Sequence, residues 1–216
     1  MKRALLAVLF AVLCVGVQGQ TRGGLQNLSV DFMTRGYFFA GSRIVDKDAP
    51  GGFGPSDNFP RAIAPGMKVP EGQLSLVVLP DEESVFAKKY RGLKVLVVNS
   101  TTDTVGLAAS DSRLNIVQEA LDRDGQWKPI EYLPSSWCGN SYHNVYLPAN
   151  YQWSFTAPRY EGTLKTQIRA ALGYKKSLEA EEQWLYSNEI EGSVNPRQFD
   201  QVRKYESKGI MDPYDN

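Results

Sequence analysis

Residues 127–162 read WKPIEYLPSSWCGNSYHNVYLPANYQWSFTAPRYEG and contain three of the four tryptophans and five of the 11 tyrosines in the chain. Large, flat side chains of this kind suit the half-buried faces of packed β-sheets. Within the stretch, Tyr151–Thr156 alternates aromatic and polar residues, which places its three rings on one face of a strand. The stretch therefore predicts the middle of an antiparallel β-sandwich.

Strand-like segments flank this stretch on both sides. They are LSLVVL (74–79), LKVLVV (93–98), RLNIVQEAL (113–121), LKTQIRAAL (164–172) and QWLYSNEI (183–190). An Asp-Gly pair at Asp124 and Gly125 indicates a hairpin turn, and Pro129 places the returning strand at a sheet edge or beside a bulge. The polar segment 80–92 is expected to hold a short helical turn. Together these features predict a β-sandwich domain over residues 73–194.

The first residues of the chain have the pattern of an export signal. A short basic start precedes an apolar run, Leu5–Val17, that is too short to span about 30 Å of hydrocarbon as a helix. Small residues at its end predict cleavage after Gly19, so residues 1–19 are assigned to a signal peptide. No other run is long enough for a transmembrane helix, and the mature protein is expected to be periplasmic or extracellular. An uncleaved anchor, or a lipoprotein signal at Cys14, are the alternatives.

The regions on either side of the predicted domain have different compositions. Residues 20–72 are rich in proline and glycine, which disfavour regular structure, and predict an irregular N-terminal arm. Phe53, Phe59 and Ile63 are apolar residues through which this arm can lie over the sandwich. At the other end, an Asn-Pro pair predicts a short C-terminal helix and tail over residues 195–216.

Composition argues against several classes of function. Lys and Arg number 24, as do Asp and Glu, so the chain lacks the basic surplus of a nucleic-acid-binding protein. Cys138 and His143 are the only thiol and imidazole beyond the leader, too few for a zinc site. A turn could bring the two together as a nucleophilic pair, but a buried cysteine is the simpler interpretation. Asp122 and Asp124 are better explained by a hairpin than by calcium. No cofactor motif is present.

From about Gln73 to Gly192 the layout resembles the immunoglobulin-like or fibronectin-III-like modules of exported bacterial proteins. The matching segments are LKVLVVNS, the hairpin DRDGQW, the strand pair VYLPANYQWSF, and PRYEG leading into LKTQIRAAL. The chain departs from true immunoglobulin domains because Cys138 has no partner for an inter-sheet disulfide. The resemblance implies an all-β, immunoglobulin-like β-sandwich. It also implies a role in binding, spacing or scaffolding, although a fold does not by itself define a function.

The sequence-based hypothesis is a non-enzymatic exported β-sandwich protein that acts in binding or scaffolding at the cell envelope, with an unknown protein or glycan as its partner. Aromatic residues at sheet faces or loop tips are its candidate ligand-binding residues, with packing in the core as the alternative for each. These candidates are Trp127, Trp137, Tyr142, His143 and Trp153. The alternative functions are a carbohydrate-binding module or minor glycan hydrolase, which would use aromatics and carboxylates, and a thiol-dependent enzyme at Cys138.

Overall fold

The computed structural model describes residues 24–134, 139–175 and 181–200. About half of these residues are in β-strands and few are helical, so the all-β prediction is confirmed. The strands, numbered in chain order, are β1 (Thr34–Arg35), β2 (Arg61–Ala62), β3 (Leu74–Phe86), β4 (Tyr90–Asn99), β5 (Val105–Ser110), β6 (Arg113–Leu114), β7 (Ile116–Leu121), β8 (Trp127–Pro129), β9 (Glu131–Tyr132), β10 (Tyr142–Leu147), β11 (Tyr151–Pro158), β12 (Leu164–Tyr174), β13 (Gln183–Tyr186) and β14 (Ile190–Val194).

One antiparallel sheet has the strand order β2-β11-β4-β3. Its longest hairpin joins β3 to β4, and the prediction of a helical turn over residues 80–92 is wrong. Instead β3 continues through the acidic segment to Phe86, with a register shift between Leu79 and Glu83. The chain then reverses at Ala87 and Lys88, whose φ angles are 48° and 59°. Cross-strand pairing with β4 outweighs the weak strand preference of the acidic residues here.

The second large sheet has the order β13-β12-β7-β8, with β14 pairing the first half of β12. The predicted hairpin between β7 and β8 is present. Asp122 Oδ1 accepts hydrogen bonds of 2.9 Å from the N–H groups of Asp124 and Gln126, and Gly125 has φ +72°. The predicted strand 183–190 is interrupted where Ser187 Oγ accepts a hydrogen bond from the N–H of Ala170. At this position a side-chain hydroxyl accepts the hydrogen bond that a backbone carbonyl of the neighbouring strand would otherwise accept.

The inward faces of both large sheets contribute to one buried apolar cluster. Trp153 on β11 is completely buried in it, and its Nε1 donates a 2.9 Å hydrogen bond to the carbonyl oxygen of Gly41. A smaller sheet, with the order β10-β5-β6, lies beside them. As the alternation in Tyr151–Thr156 predicts, one set of its side chains faces the core, although Tyr151 itself is 38% exposed.

The proline- and glycine-rich arm has little regular structure but is packed against the sheets. Phe38 is buried in the core, and its carbonyl oxygen accepts the N–H of Leu114 at the edge strand β6. Further along, Gly54 N–H donates to Asp111 Oδ1 at 2.9 Å, and Gly54 O accepts from Ser112 Oγ at 2.8 Å. The arm therefore covers edges that would otherwise expose unpaired backbone groups.

The structure describes the N-terminal region from residue 24 and the C-terminal region as far as residue 200. A short 3-10 helix spans Pro196–Phe199, directly after Asn195, whose N–H donates to Gln198 Oε1 at 3.0 Å. This turn begins where the Asn-Pro pair predicted a helix. Residues 201–216, and with them the rest of the predicted C-terminal helix, lie outside the described residues, as does the predicted signal peptide 1–19.

A buried polar network joins the arm to the second large sheet. The carboxylate of Glu131 accepts hydrogen bonds from Gln118 N and Nε2, both at 2.9 Å, and from the Tyr160 hydroxyl at 2.7 Å. That hydroxyl also bonds to the hydroxyl of Thr34 on β1. Burial raises the pKa of Glu131, outweighing these hydrogen bonds, which act to lower it. The network is closed to solvent and links the arm at Thr34 to β7 at Gln118.

Candidate binding surface

The structure separates the predicted ligand-binding residues. Trp127 lies in the second large sheet, Tyr142 and His143 lie on β10 of the small sheet, and Trp153 lies in the sheet that contains β4. Tyr142 is 49% exposed, whereas Trp153 has no exposed surface. Trp137 lies outside the described residues. The five residues therefore stay predictions as ligand contacts, and the four that are described do not share one sheet.

The side chain of His143, on β10, packs against the arm. Its ring stacks on Phe53, with centroids 3.6 Å apart and an interplanar angle of 9°. Nδ1 lies 3.2 Å from the carbonyl oxygen of Ser141, and Nε2 has no partner among the described residues. Its predicted partner Cys138 lies outside the described residues, so the thiol hypothesis stays a prediction. The stacking explains His143 as an anchor for the arm.

Strand register brings a different set of side chains together on the outward face of the second large sheet. Arg169 pairs with Glu119 across β12 and β7, and its guanidinium nitrogen lies 2.8 Å from the carboxylate. The same guanidinium lies 4.1 Å from the ring centroid of Trp127 and 3.8 Å from that of Tyr186. One arginine therefore lies between two aromatic rings contributed by β8 and β13, and links strands from both sides of β12 and β7.

Trp184 extends this face beyond Tyr186. It pairs with Gly173 on β12, where a side chain on the glycine would come within 3.1 Å of the indole. A hydrogen bond of 2.9 Å between Asn115 Nδ2 and Glu182 Oε1 lies against the same glycine. Trp184 is 43% exposed and Tyr186 is 48% exposed. Gly173 thus provides the space in which the indole and this polar pair lie side by side.

We call this surface the outer aromatic face. It consists of the side chains of Glu119, Trp127, Arg169, Trp184 and Tyr186. Residues of opposite parity on β12 point inward: Ile168, Ala170 and Leu172 are each at most 3% exposed. Because side chains alternate between the faces of a strand, the register places all five members on the solvent side. Of the residues predicted from the sequence, only Trp127 belongs to it.

Two general features of the described residues bear on function. No group of three or more His, Cys, Asp or Glu side chains within ranges 24–134, 139–175 and 181–200 is arranged to hold a metal ion. No helix in the same part of the chain is both long and apolar enough to cross a membrane.

No protein-family model matches the chain, and no curated protein or solved structure matches it at a significant level.

Proposed function

We propose that the protein is a non-enzymatic, exported binding protein of the cell envelope and that the outer aromatic face is its binding surface. Export is inferred from the signal-peptide pattern of residues 1–19. An immunoglobulin-like β-sandwich is part of the proposal. It is supported by part of the strand pairing: β3-β4-β11 and β8-β7-β12-β13 follow the order expected of the two sheets of such a module, with β2 of the arm added next to β11.

The observation that carries the proposal is the exposure of large aromatic rings on the outward side of one sheet. Trp184 and Tyr186 are about half exposed although they lie on the same short strand. Leaving this much aromatic surface in water forgoes burial free energy, and exposed patches of this kind mark interaction sites. Tryptophan, tyrosine and arginine are also the residues that contribute most to binding energy at protein interfaces.

Site-specific photo-crosslinking in cells that naturally produce the protein tests this proposal. We expect a p-benzoylphenylalanine at position 186 to give a discrete adduct with an envelope component. The same probe at Tyr151, which is 38% exposed on the other large sheet, is the matched control and should give none. Adducts at neither position, or equal adducts at both, would contradict the proposal. So would a hydrolase, transferase or redox activity that a single substitution abolishes.

A glycan ligand is the second candidate, because one feature of the face favours it. The exposed indole of Trp184 lies beside the hydrogen-bonded pair Asn115 and Glu182, so a stacking surface and polar groups are adjacent. On a glycan array, Trp184→Ala should then abolish binding while Tyr151→Ala leaves it unchanged. Absence of glycan binding by the wild-type protein would leave a protein partner as the ligand class.

A further inference from the structure

Three sheet edges in the described part of the chain are blocked. At β3, Asn188 Oδ1 accepts the N–H of Val78 at 2.9 Å, and Asn188 Nδ2 donates to Val78 O at 3.0 Å. At β10, the N–H of Asn144 donates to Asp46 Oδ2 of the arm at 2.7 Å. At β8, Pro129 supplies no N–H. Each device prevents another strand from pairing with that edge.

The edge at β13 has no such device among the described residues. Leu185 pairs with Leu172, and the N–H of Ser187 donates to Ala170 O at 2.9 Å, so alternate residues of this segment face β12. The N–H and C=O groups of Trp184 and Tyr186 must then point away from β12. Among the residues that the structure describes, these four backbone groups have no hydrogen-bond partner, and they form a row directly beside the outer aromatic face.

The chemistry around β13 specifies what kind of strand would fit. Residues 181–191 (EEQWLYSNEIE) contain four glutamates and no lysine or arginine. Opposite charges across paired strands are favourable and like charges are not. The rings of the face already bind a guanidinium, because Arg169 lies between Trp127 and Tyr186. A second copy of this strand would instead set glutamates against glutamates.

We propose that β13 binds an extended, arginine- or lysine-bearing peptide segment of a partner protein, which pairs with the outward backbone groups of Trp184 and Tyr186 as an added strand. The inference rests on the proposed function and specifies its partner. Main-chain hydrogen bonds supply affinity in this mode of recognition. The exposed rings and the glutamates of residues 181–191 supply the preference for cationic side chains.

Fluorescence anisotropy with synthetic peptides tests the proposal on the full mature chain. The probe is a labelled octapeptide of alternating arginine and valine, and the matched control replaces each arginine by glutamate. We expect the arginine peptide to bind at least tenfold more tightly. N-methylation of one alternate set of its amides should weaken binding at least tenfold, and N-methylation of the other set should leave it unchanged. Equal effects of the two methylated peptides, or no preference for arginine over glutamate, would overturn the proposal.

Two protein variants separate the backbone from the ring. Trp184→Ala removes the indole and keeps the outward N–H, whereas Trp184→Pro removes both. We expect the proline variant to bind the arginine peptide at least tenfold more weakly than the alanine variant, with circular dichroism confirming that both are folded. Equal binding by the two folded variants would refute strand addition. Sedimentation that shows a dimer lost in Trp184→Pro would identify a second copy as the occupant and refute the basic partner.

The outcomes also distinguish this inference from the proposed function. Crosslinking at position 186 combined with failure of the peptide experiments would mean that the face binds a partner without strand addition. Failure of both would remove the binding role itself.

Discussion

Tyr160→Phe removes one hydroxyl from the centre of the buried polar network. In the wild-type protein this hydroxyl donates to Glu131 Oε1 at 2.7 Å and bonds to the Thr34 hydroxyl. The ring stays in place, so little cavity forms, but two buried polar groups each lose a partner. Glu131 Oε1 keeps its hydrogen bond from Gln118 Nε2, whereas the Thr34 hydroxyl loses the partner that Tyr160 provides. A buried polar group left unsatisfied costs about 1–3 kcal/mol, and we expect the variant to lose about 2 kcal/mol of unfolding free energy at pH 7.

The size of this loss depends on pH because Glu131 titrates. Burial raises its pKa above the ordinary value, and the hydrogen bond from Tyr160 acts in the opposite direction. Stability from a carboxyl with a raised pKa is fully present below the pKa in the unfolded chain and is lost as the pH rises through the folded value. Removing the Tyr160 hydroxyl raises the folded pKa further. The variant therefore loses more stability than the wild-type protein over the same rise in pH.

Urea unfolding at pH 4 and pH 7, followed by tryptophan fluorescence, measures both effects. The destabilisation should be larger at pH 7 than at pH 4, because the ionised carboxylate of Glu131 depends more on the hydrogen bond from Tyr160 than the neutral acid does. The control, Tyr151→Phe, changes a part-exposed side chain and should stay within about 0.5 kcal/mol of the wild-type protein. Equal destabilisation at the two pH values, or a larger one at pH 4, would refute this account of the network.

Two further predictions concern the sheet edge and the outer face. Asn188→Ala leaves both backbone groups of Val78 without their side-chain partner. Urea unfolding should show that the free energy of unfolding falls by about 2 kcal/mol. An unchanged free energy of unfolding would mean that water replaces the amide at no cost. Arg169→Lys keeps the positive charge but loses the planar contact with Trp127 and Tyr186. It should cost about 1 kcal/mol in the same assay, and a lysine variant as stable as the wild-type protein would show that the stacking contributes nothing.

Local patterns in the sequence were sufficient to predict much of the fold. The alternation in Tyr151–Thr156 and the Asp-Gly turn each depend on residues close together in the chain, and both predicted elements are present. The prediction of a helical turn in the polar segment 80–92 is wrong because the segment's own preferences are overridden by pairing with β4. Such pairing depends on tertiary context and leaves no local signal.

The outer aromatic face was harder to predict for the same reason. QWLY places Trp184 and Tyr186 on one side of a strand, a signal that is visible in the sequence. The position of Arg169 between the rings of Tyr186 and Trp127 depends on the register of four strands, β13, β12, β7 and β8. No local pattern in the sequence specifies that register. The sequence-based choice instead followed aromatic density in residues 127–162, which includes the fully buried Trp153. A high density of aromatic residues in the sequence is as typical of a buried core as it is of a binding surface.

Amide hydrogen exchange at β13 tests the central claim most directly. In the free protein, the Leu185 amide faces β12 and should exchange slowly, whereas the outward amides of Trp184 and Tyr186 should exchange at least about tenfold faster. Saturation with the arginine–valine peptide should slow both outward amides and leave Leu185 as it was. Outward amides that are already as protected as Leu185 in the free protein, or that keep exchanging fast with the peptide bound, would contradict the claim.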